Sequence, residues 1–459
     1  MKNDFTSIYK VIEPKEQEAF HHYLQCFYGN QKSVLSIFEK AVQTLDADED
    51  LEEILMDSTP TSRKNTLNAF SDLKKWLLEF LATQEIRHNT IESKFLTLEA
   101  LRKRGLHDVF QQKSKHLIQE LDKQKSPDVW HLFWKVRQSH INYFSLPLDR
   151  LQDYQDDMFR LLYDLDNFYM GAKLKYSTEL YSRSSVLQEQ YEVPLLDNIL
   201  SLIDAGENIN PIIKDLYLPL FELVKTDSEQ SYITLKSFLQ NSSTHEPIER
   251  LSILLYLLNS AIRRFQKGEE SMIRESFSLY QFGLDASLFT ATGYFSTGTF
   301  LNITNFGCHL KEYSWLEKFV KQWSLYLSPI DKDETISFSM ARIAFEEKKF
   351  NQVIELLRDI DFKNISFTLN VRLLLIRAYF EQRVPTNLML DYSNALYLYV
   401  YRNKKMGNNM QTRAINFVKI FRQLINGKSK KQLFKELDKK EKIILCYDWL
   451  KAKIEESRN

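Results

Sequence analysis

The sequence predicts an all-α protein, and three observations carry the prediction. Apolar residues recur at helical spacing along nearly the whole chain, no stretch alternates as a half-buried strand does, and only 11 Gly and 10 Pro punctuate 459 residues. Sheet proteins of this length need more turn residues, so the shortage points to helices joined by short polar turns. The length exceeds what a single core usually spans, which implies two domains or an extended repeat array. An apolar content of 44% with 27% charged residues argues against disorder.

Individual elements follow the same logic. In "FSDLKKWLLEFLA" the residues Phe70, Leu73, Leu77, Phe80 and Leu81 share one stripe, which predicts an amphipathic helix. Pro14 in "EPKEQEAF" stands where a first helical residue would, because proline's missing N–H would have no intrahelical partner there anyway. Ser126 and Pro127 suggest the same start, cap then proline, for the aromatic-rich helix that follows. The greasiest run, Leu251–Ile262, is about half the length needed to span a bilayer and reads as a buried helix. Breaks at Gly, Pro and Asn clusters divide the chain into roughly twenty helices of ordinary length.

Charge and cysteine usage narrow the function classes. Lys plus Arg equals Asp plus Glu at 61 each, so no global field favours nucleic acid or an anionic membrane. Cys26, Cys308 and Cys446 are odd in number and far apart, which fits a reducing cytoplasm better than a disulfide framework. The N-terminal stretch has no apolar h-region of a signal peptide, and no membrane association is expected.

The second half carries an internal period. "HLKEYSWLEKFVKQW" and "FEEKKFNQVIELLRDI" each present a charged turn, an aromatic (Tyr313, Phe350), an aliphatic three later (Leu316, Val353) and another four beyond (Val320, Leu357). The turns at Gly268, Lys311 and Lys348 mark the period, and Ala344 to Ala378 spans 34 residues. With small residues at Thr304 and Ala341, aromatics opening the second helices and Pro329 near a repeat end, this region resembles the tetratricopeptide repeat (TPR) over about 247–403. Leu316 and Val353 stand where that family prefers Ala, Leu375 where it prefers Gly, and Pro385 comes early. The order of phrases such as "LTLEALRKRGLHDVF" and "GTFLNITNFGCHLKEYSWLEKFV" also resembles an uncharacterised bacterial family of helical-repeat proteins, a resemblance that brings no catalytic residues.

The resemblance implies a TPR-like α-α superhelix, a solenoid of antiparallel helix pairs. An N-terminal helical region would cover residues 1–245, and the repeat region with a Lys-rich helical tail (427–459) would cover 246–459. It also implies a groove for a protein or peptide partner, lined by Asn305, His309, Arg342, Glu346, Arg372 and Tyr379. The alternative is a nucleic-acid-associated or regulatory protein using the tail, which carries a net charge of +4 but interleaves its charges as a solvated helix face does.

No residue pattern argues for catalysis, a cofactor or a metal. Gly293 and Gly298 in "GYFSTGTF" have the spacing of a phosphate-binding loop, but Thr299 stands where its lysine is required and no strand precedes it. The stretch reads instead as a glycine turn into a helix capped by Thr297 or Thr299. Asp46–Asp57 imitates an EF-hand loop, yet Leu51 replaces the obligatory Gly, so an acidic helix N-terminus is expected. His22 and Cys26 lie one helical turn apart without further ligands. His131 and His140 read as packing or surface residues.

Overall fold

The computed structural model describes residues 4–46, 60–124, 128–145, 155–187, 191–206, 208–241, 246–360, 364–403 and 406–457. Among them every regular element is helical, and the sole bridge of β type joins Phe295 to Leu327. Two compact units emerge, residues 1–124 with 130–165, and residues 125–129 with 166–459.

The first unit contains α1 (Asp4–Tyr9), α2 (Pro14–Tyr28), α3 (Lys32–Asp46), α4 (Pro60–His88), α5 (Thr90–Lys103), α6 (His107–Asp122), most of α7 (Val129–Phe144) and the start of α8 (Gln155–Leu187). Pro14 opens α2 as the sequence indicated, and Glu13 and Glu16 close a reciprocal capping box around it. Phe5, Phe20, Phe38, Leu73, Leu77 and Phe80 form one core, with the Phe20 and Phe38 rings edge to face at 5.8 Å. Asn89 caps α5 through Oδ1, which accepts the Glu92 N–H at 3.0 Å. A second core joins Phe95, Leu98, Phe110, Leu117 and Ile141.

Several polar groups around α7 and α8 are paired, although the buried Gln138 Oε1 and Ser177 Oγ have no hydrogen-bond partner among the described residues. Asp122 takes Lys135 at 2.9 Å and Arg160 at 3.1 Å, and the Ser139 hydroxyl donates to Asp164 at 2.6 Å. His131 is buried beside this cluster, and burial, aided by the Lys135 charge, pulls its pKa down to about 4. The cap expected at Ser126 and Pro127 lies outside the described residues, and helix α7 is described from Val129. Asp46, first residue of the acidic run, ends α3 rather than beginning a helix, and the rest of that run also lies outside the described residues.

The second unit continues from within α8 through α9 (Leu196–Ala205), a π-turn (Ile213–Tyr217), α10 (Leu218–Thr226), α11 (Glu229–Asn241), α12 (Pro247–Gln266) and α13 (Ser271–Asp285). It proceeds through α14 (Thr297–His309), α15 (Tyr313–Trp323), α16 (Lys332–Glu346) and α17 (Phe350–Leu357). It ends with α18 (Ile365–Glu381), α19 (Thr386–Arg402), α20 (Asn408–Ile425), α21 (Lys430–Asp438) and α22 (Tyr447–Glu456). The unit boundary therefore falls inside α8, not near residue 245. Side-chain bonds span the latter position: Lys175 to Glu249 at 2.7 Å, Tyr232 to Glu275 at 3.0 Å and Ser260 to Asp227 at 2.7 Å.

From α12 onward the helices form consecutive pairs closed by one recurring turn. Gly268, Lys311, Lys348, Arg383 and Gly427 all have positive φ, between 55° and 105°. After each, the next N–H returns to a carbonyl five residues earlier: Glu269 to Arg264, Glu312 to Gly307, Lys349 to Ala344, Val384 to Tyr379 and Lys428 to Gln423. This is the Schellman arrangement, which satisfies carbonyls orphaned at a helix end and reverses the chain within two or three residues. The spacings between turns are 43, 37, 35 and 44 residues.

Packing inside the pairs depends on missing side chains. A Cβ on Gly307 would lie 2.6 Å from the Leu316 side chain, so the glycine makes room for the leucine that departs from the TPR pattern. Ala341 is fully buried in the core of α16, α17 and α18, and Thr304 donates to Ser339 at 3.2 Å between α14 and α16. The Lys-rich tail belongs to this packing, since Leu433, Leu437, Ile444, Leu450 and Ile454 are all buried.

Three measurements test this account. Ala341→Trp overpacks a filled site and should cost about 1–3 kcal/mol or more in chemical denaturation. Gly268→Ala, at a φ an L-residue rarely adopts, should cost about 1 kcal/mol, whereas Lys348→Gly should not destabilise at all. Neutral burial of His131 contributes stability that is present above the unfolded pKa near 6.5 and lost as pH falls towards 4. The melting temperature of the wild type should therefore drop relative to that of His131→Phe between pH 7 and pH 4.5; a constant difference would refute the assignment.

Candidate functional site

The phosphate-loop lookalike is a turn and a helix start. Gly293 adopts φ 99° and its N–H bonds Thr290, after which the Phe295 N–H donates to the Tyr326 carbonyl at 2.8 Å. Phe295 is sunk among Phe289, Phe300, Phe319 and Trp323 and pins the segment down. The N-cap of α14 is Ser296, one residue ahead of the expected threonines, and its carbonyl takes the Phe300 N–H. Gly298 lies within the first helical turn, where an added Cβ would meet only ordinary contacts at 3.7 Å, so no turn requires it.

Other motif residues are placed as follows. His22 and Cys26 are both exposed on α2, and among the described residues no three His, Cys, Asp or Glu side chains gather as metal ligands. The buried Cys308 thiol is pushed up to about 12, chiefly by burial, which keeps it protonated and a poor nucleophile. No helix among the described residues is long and apolar enough to cross a membrane.

The recurring turn supplies a register for the six groove candidates. Counted back from the left-handed residue, Asn305 and His309 on α14 occupy the same positions as Arg342 and Glu346 on α16. On α18 the equivalent residues are Arg377 and Glu381, not Arg372 and Tyr379. The expected Arg372 and Tyr379 fall five and two residues short of these positions, more than the one-residue difference between the 34-residue alanine spacing and the 35 between the turns at Lys348 and Arg383.

These first-helix residues repeat as polar pairs, charged on α16 and α18. Arg342 pairs with Glu346, both largely covered. The Arg377 guanidinium stacks 4.9 Å over the Phe345 ring and donates from Nε to the Leu373 carbonyl at 3.0 Å. Burial lowers its pKa and Arg342 adds to that, while Glu346 and Glu381 oppose it. Glu381 in turn accepts Trp449 Nε1 at 2.9 Å and Lys453 Nζ at 3.0 Å, so α22 covers this end of the ladder. Asn305 is half-buried, and His309 stays exposed with its ring edge-on to Phe265 at 5.8 Å.

Arg372 and Tyr379 meet elsewhere, in a cleft of about 190 Å³ between α18 and α19 that is completed by Arg358 and Tyr392. The Tyr379 and Tyr392 rings stack at 4.2 Å and 3°. Burial, reinforced by the Tyr392 hydrogen bond and opposed by the Arg358 charge, pushes the Tyr379 hydroxyl up to about 12. Nothing in the sequence joined Tyr392 or Arg358 to this place, because Tyr392 lies on α19 and Arg358 just past the end of α17, both on segments other than that of Arg372.

No family model, curated protein or solved structure matches the chain.

One outcome follows for the lookalike loop. Calorimetry with ATP or GTP should show no saturable binding, and micromolar binding abolished by Gly298→Val would reinstate a phosphate site.

Proposed function

We propose that the chain is a non-enzymatic scaffold or adaptor, a TPR-like α-α superhelix of the uncharacterised bacterial helical-repeat type, that holds a protein or peptide partner along its first-helix face. The supporting observation is the phase of the turns. Identical Schellman closures put polar pairs at equivalent positions on three successive first helices: Asn305 with His309, Arg342 with Glu346, Arg377 with Glu381. Stacked helix pairs cannot bury both faces, and since α22 covers the Arg377–Glu381 end, the stretch proposed for an extended segment runs over Asn305, His309, Arg342 and Glu346. At the far end α22 acts as a cap, its Trp449 packed on Phe380, Phe417 and Phe421. A cytoplasmic setting accords with three free cysteines.

The test is affinity capture from native lysate, with and without nuclease, followed by mass spectrometry and then by binding assays on purified candidates. A nuclease-insensitive protein should be captured directly. The double variant Arg342→Gln, Glu346→Gln should melt within about 1 kcal/mol of wild type, as most substitutions away from a core do. It should bind that partner at least about fivefold more weakly, because complementary charge is lost. Full binding by the double variant would place the interface elsewhere, and a nuclease-sensitive bound fraction would favour a nucleic-acid role for the tail.

A further inference from the structure

The cleft between α18 and α19 lies off the first-helix ladder and poses its own electrostatic problem. Arg372 makes no hydrogen bond and no ion pair among the described residues, and its Nε is buried without a partner. Its one compensating neighbour is the Tyr399 ring, 4.5 Å below the guanidinium. An aromatic face restores only part of the hydration such a cation gives up, and a carboxylate restores far more through charge-assisted, bidentate bonds. None of the residues lining the cleft is acidic, and among the described residues Arg358 pairs only with Asp359 at 3.0 Å, itself largely in solvent. Arg372 and Arg358 thus line a cleft floored by Leu375, Ile376 and Leu396, and among the described residues no carboxylate lines it.

Size and shape restrict the occupant. Pockets that hold free small molecules run from about 300 Å³ upward. At about 190 Å³ this one suits a single side chain. Apolar floor and cationic rim within one residue's reach match a chain terminus, where side chain and carboxylate belong to the same residue. We propose that this cleft captures the C-terminal residue of a partner peptide, its aliphatic side chain on the Leu375–Ile376–Leu396 floor and its α-carboxylate on Arg372 and Arg358.

Fluorescence anisotropy on the full chain tests this with fluorescein-labelled Gly-Ser-Gly-Ser-Leu as free acid, the same peptide as its C-terminal amide, and a labelled oligouridylate. The free acid should bind saturably and the amide at least about tenfold more weakly, the loss expected when charged hydrogen bonds disappear. Arg372→Gln and the well-exposed Arg358→Gln should each weaken the acid at least about fivefold with unchanged melting temperatures. Equal binding of acid and amide, no saturable binding of the acid, or full binding by both variants would overturn the proposal. So would oligouridylate binding that Arg372→Gln removes, which would make the cleft a nucleic-acid site. None of these results touches the first-helix face, whose double variant is read separately.

Discussion

The left-handed residue that closes each first helix is the constraint on which the second unit depends. A Schellman turn consumes a fixed number of residues and returns two N–H groups to defined carbonyls, so it sets where the second helix begins and which side chains face it. Three of the five turns use Lys or Arg at positive φ instead of Gly. Each such residue costs about 1–2 kcal/mol against a right-handed conformation. They persist because the alternative would leave helix-end carbonyls unsatisfied and shift a whole helix out of its packing.

Given that phase, close packing follows from small complementary choices. Leu316 fits because Gly307 opposite it has no side chain. Gly283 is equally constrained, with Leu254 and Phe289 atoms 2.5 Å from where its Cβ would lie. Where the chain leaves a pair for the longer connection before α14, aromatic side chains replace the turn as the organising element. Phe295 stacks on Phe289 at 5.4 Å, and its N–H donates to the Tyr326 carbonyl.

Charge is handled by enclosure as well as by solvation. Arg377 is half-buried with its guanidinium 4.9 Å over the Phe345 ring, and the charges of Glu346 and Glu381 oppose the lowering of its pKa by burial. Glu381 is shared with Trp449 and Lys453, which ties the last helix to the fourth pair by a hydrogen bond and an ion pair as well as by aromatic packing. Several lysines of the basic tail have definite partners: Lys428 on Glu436, Lys430 on the Glu455 carbonyl, Lys440 on Asn416. The tail is thus a packed part of the unit and not a free basic arm.

Sequence alone determined the helical class, the approximate number of helices, the buried stripe Phe70–Leu73–Leu77–Phe80 and three of the five pair turns, because these rest on local periodicity and on residues with unusual backbone preference. It also placed Asn305, His309, Arg342 and Glu346 at matching positions, since both helices keep the same distance to a recognisable turn. It missed the third rung, Arg377 and Glu381, because nothing local marked Arg383 as the left-handed residue that closes α18, so the register on that helix had no fixed origin. Only tertiary structure decided that α9 to α11 join the second unit, that Gly307 answers Leu316, that Arg372 sits unpaired beside Arg358 and a tyrosine stack, and that Trp449 covers Glu381. Each of these is a relation between residues far apart in the chain, set by how helices approach one another, and no local pattern encodes such a distance.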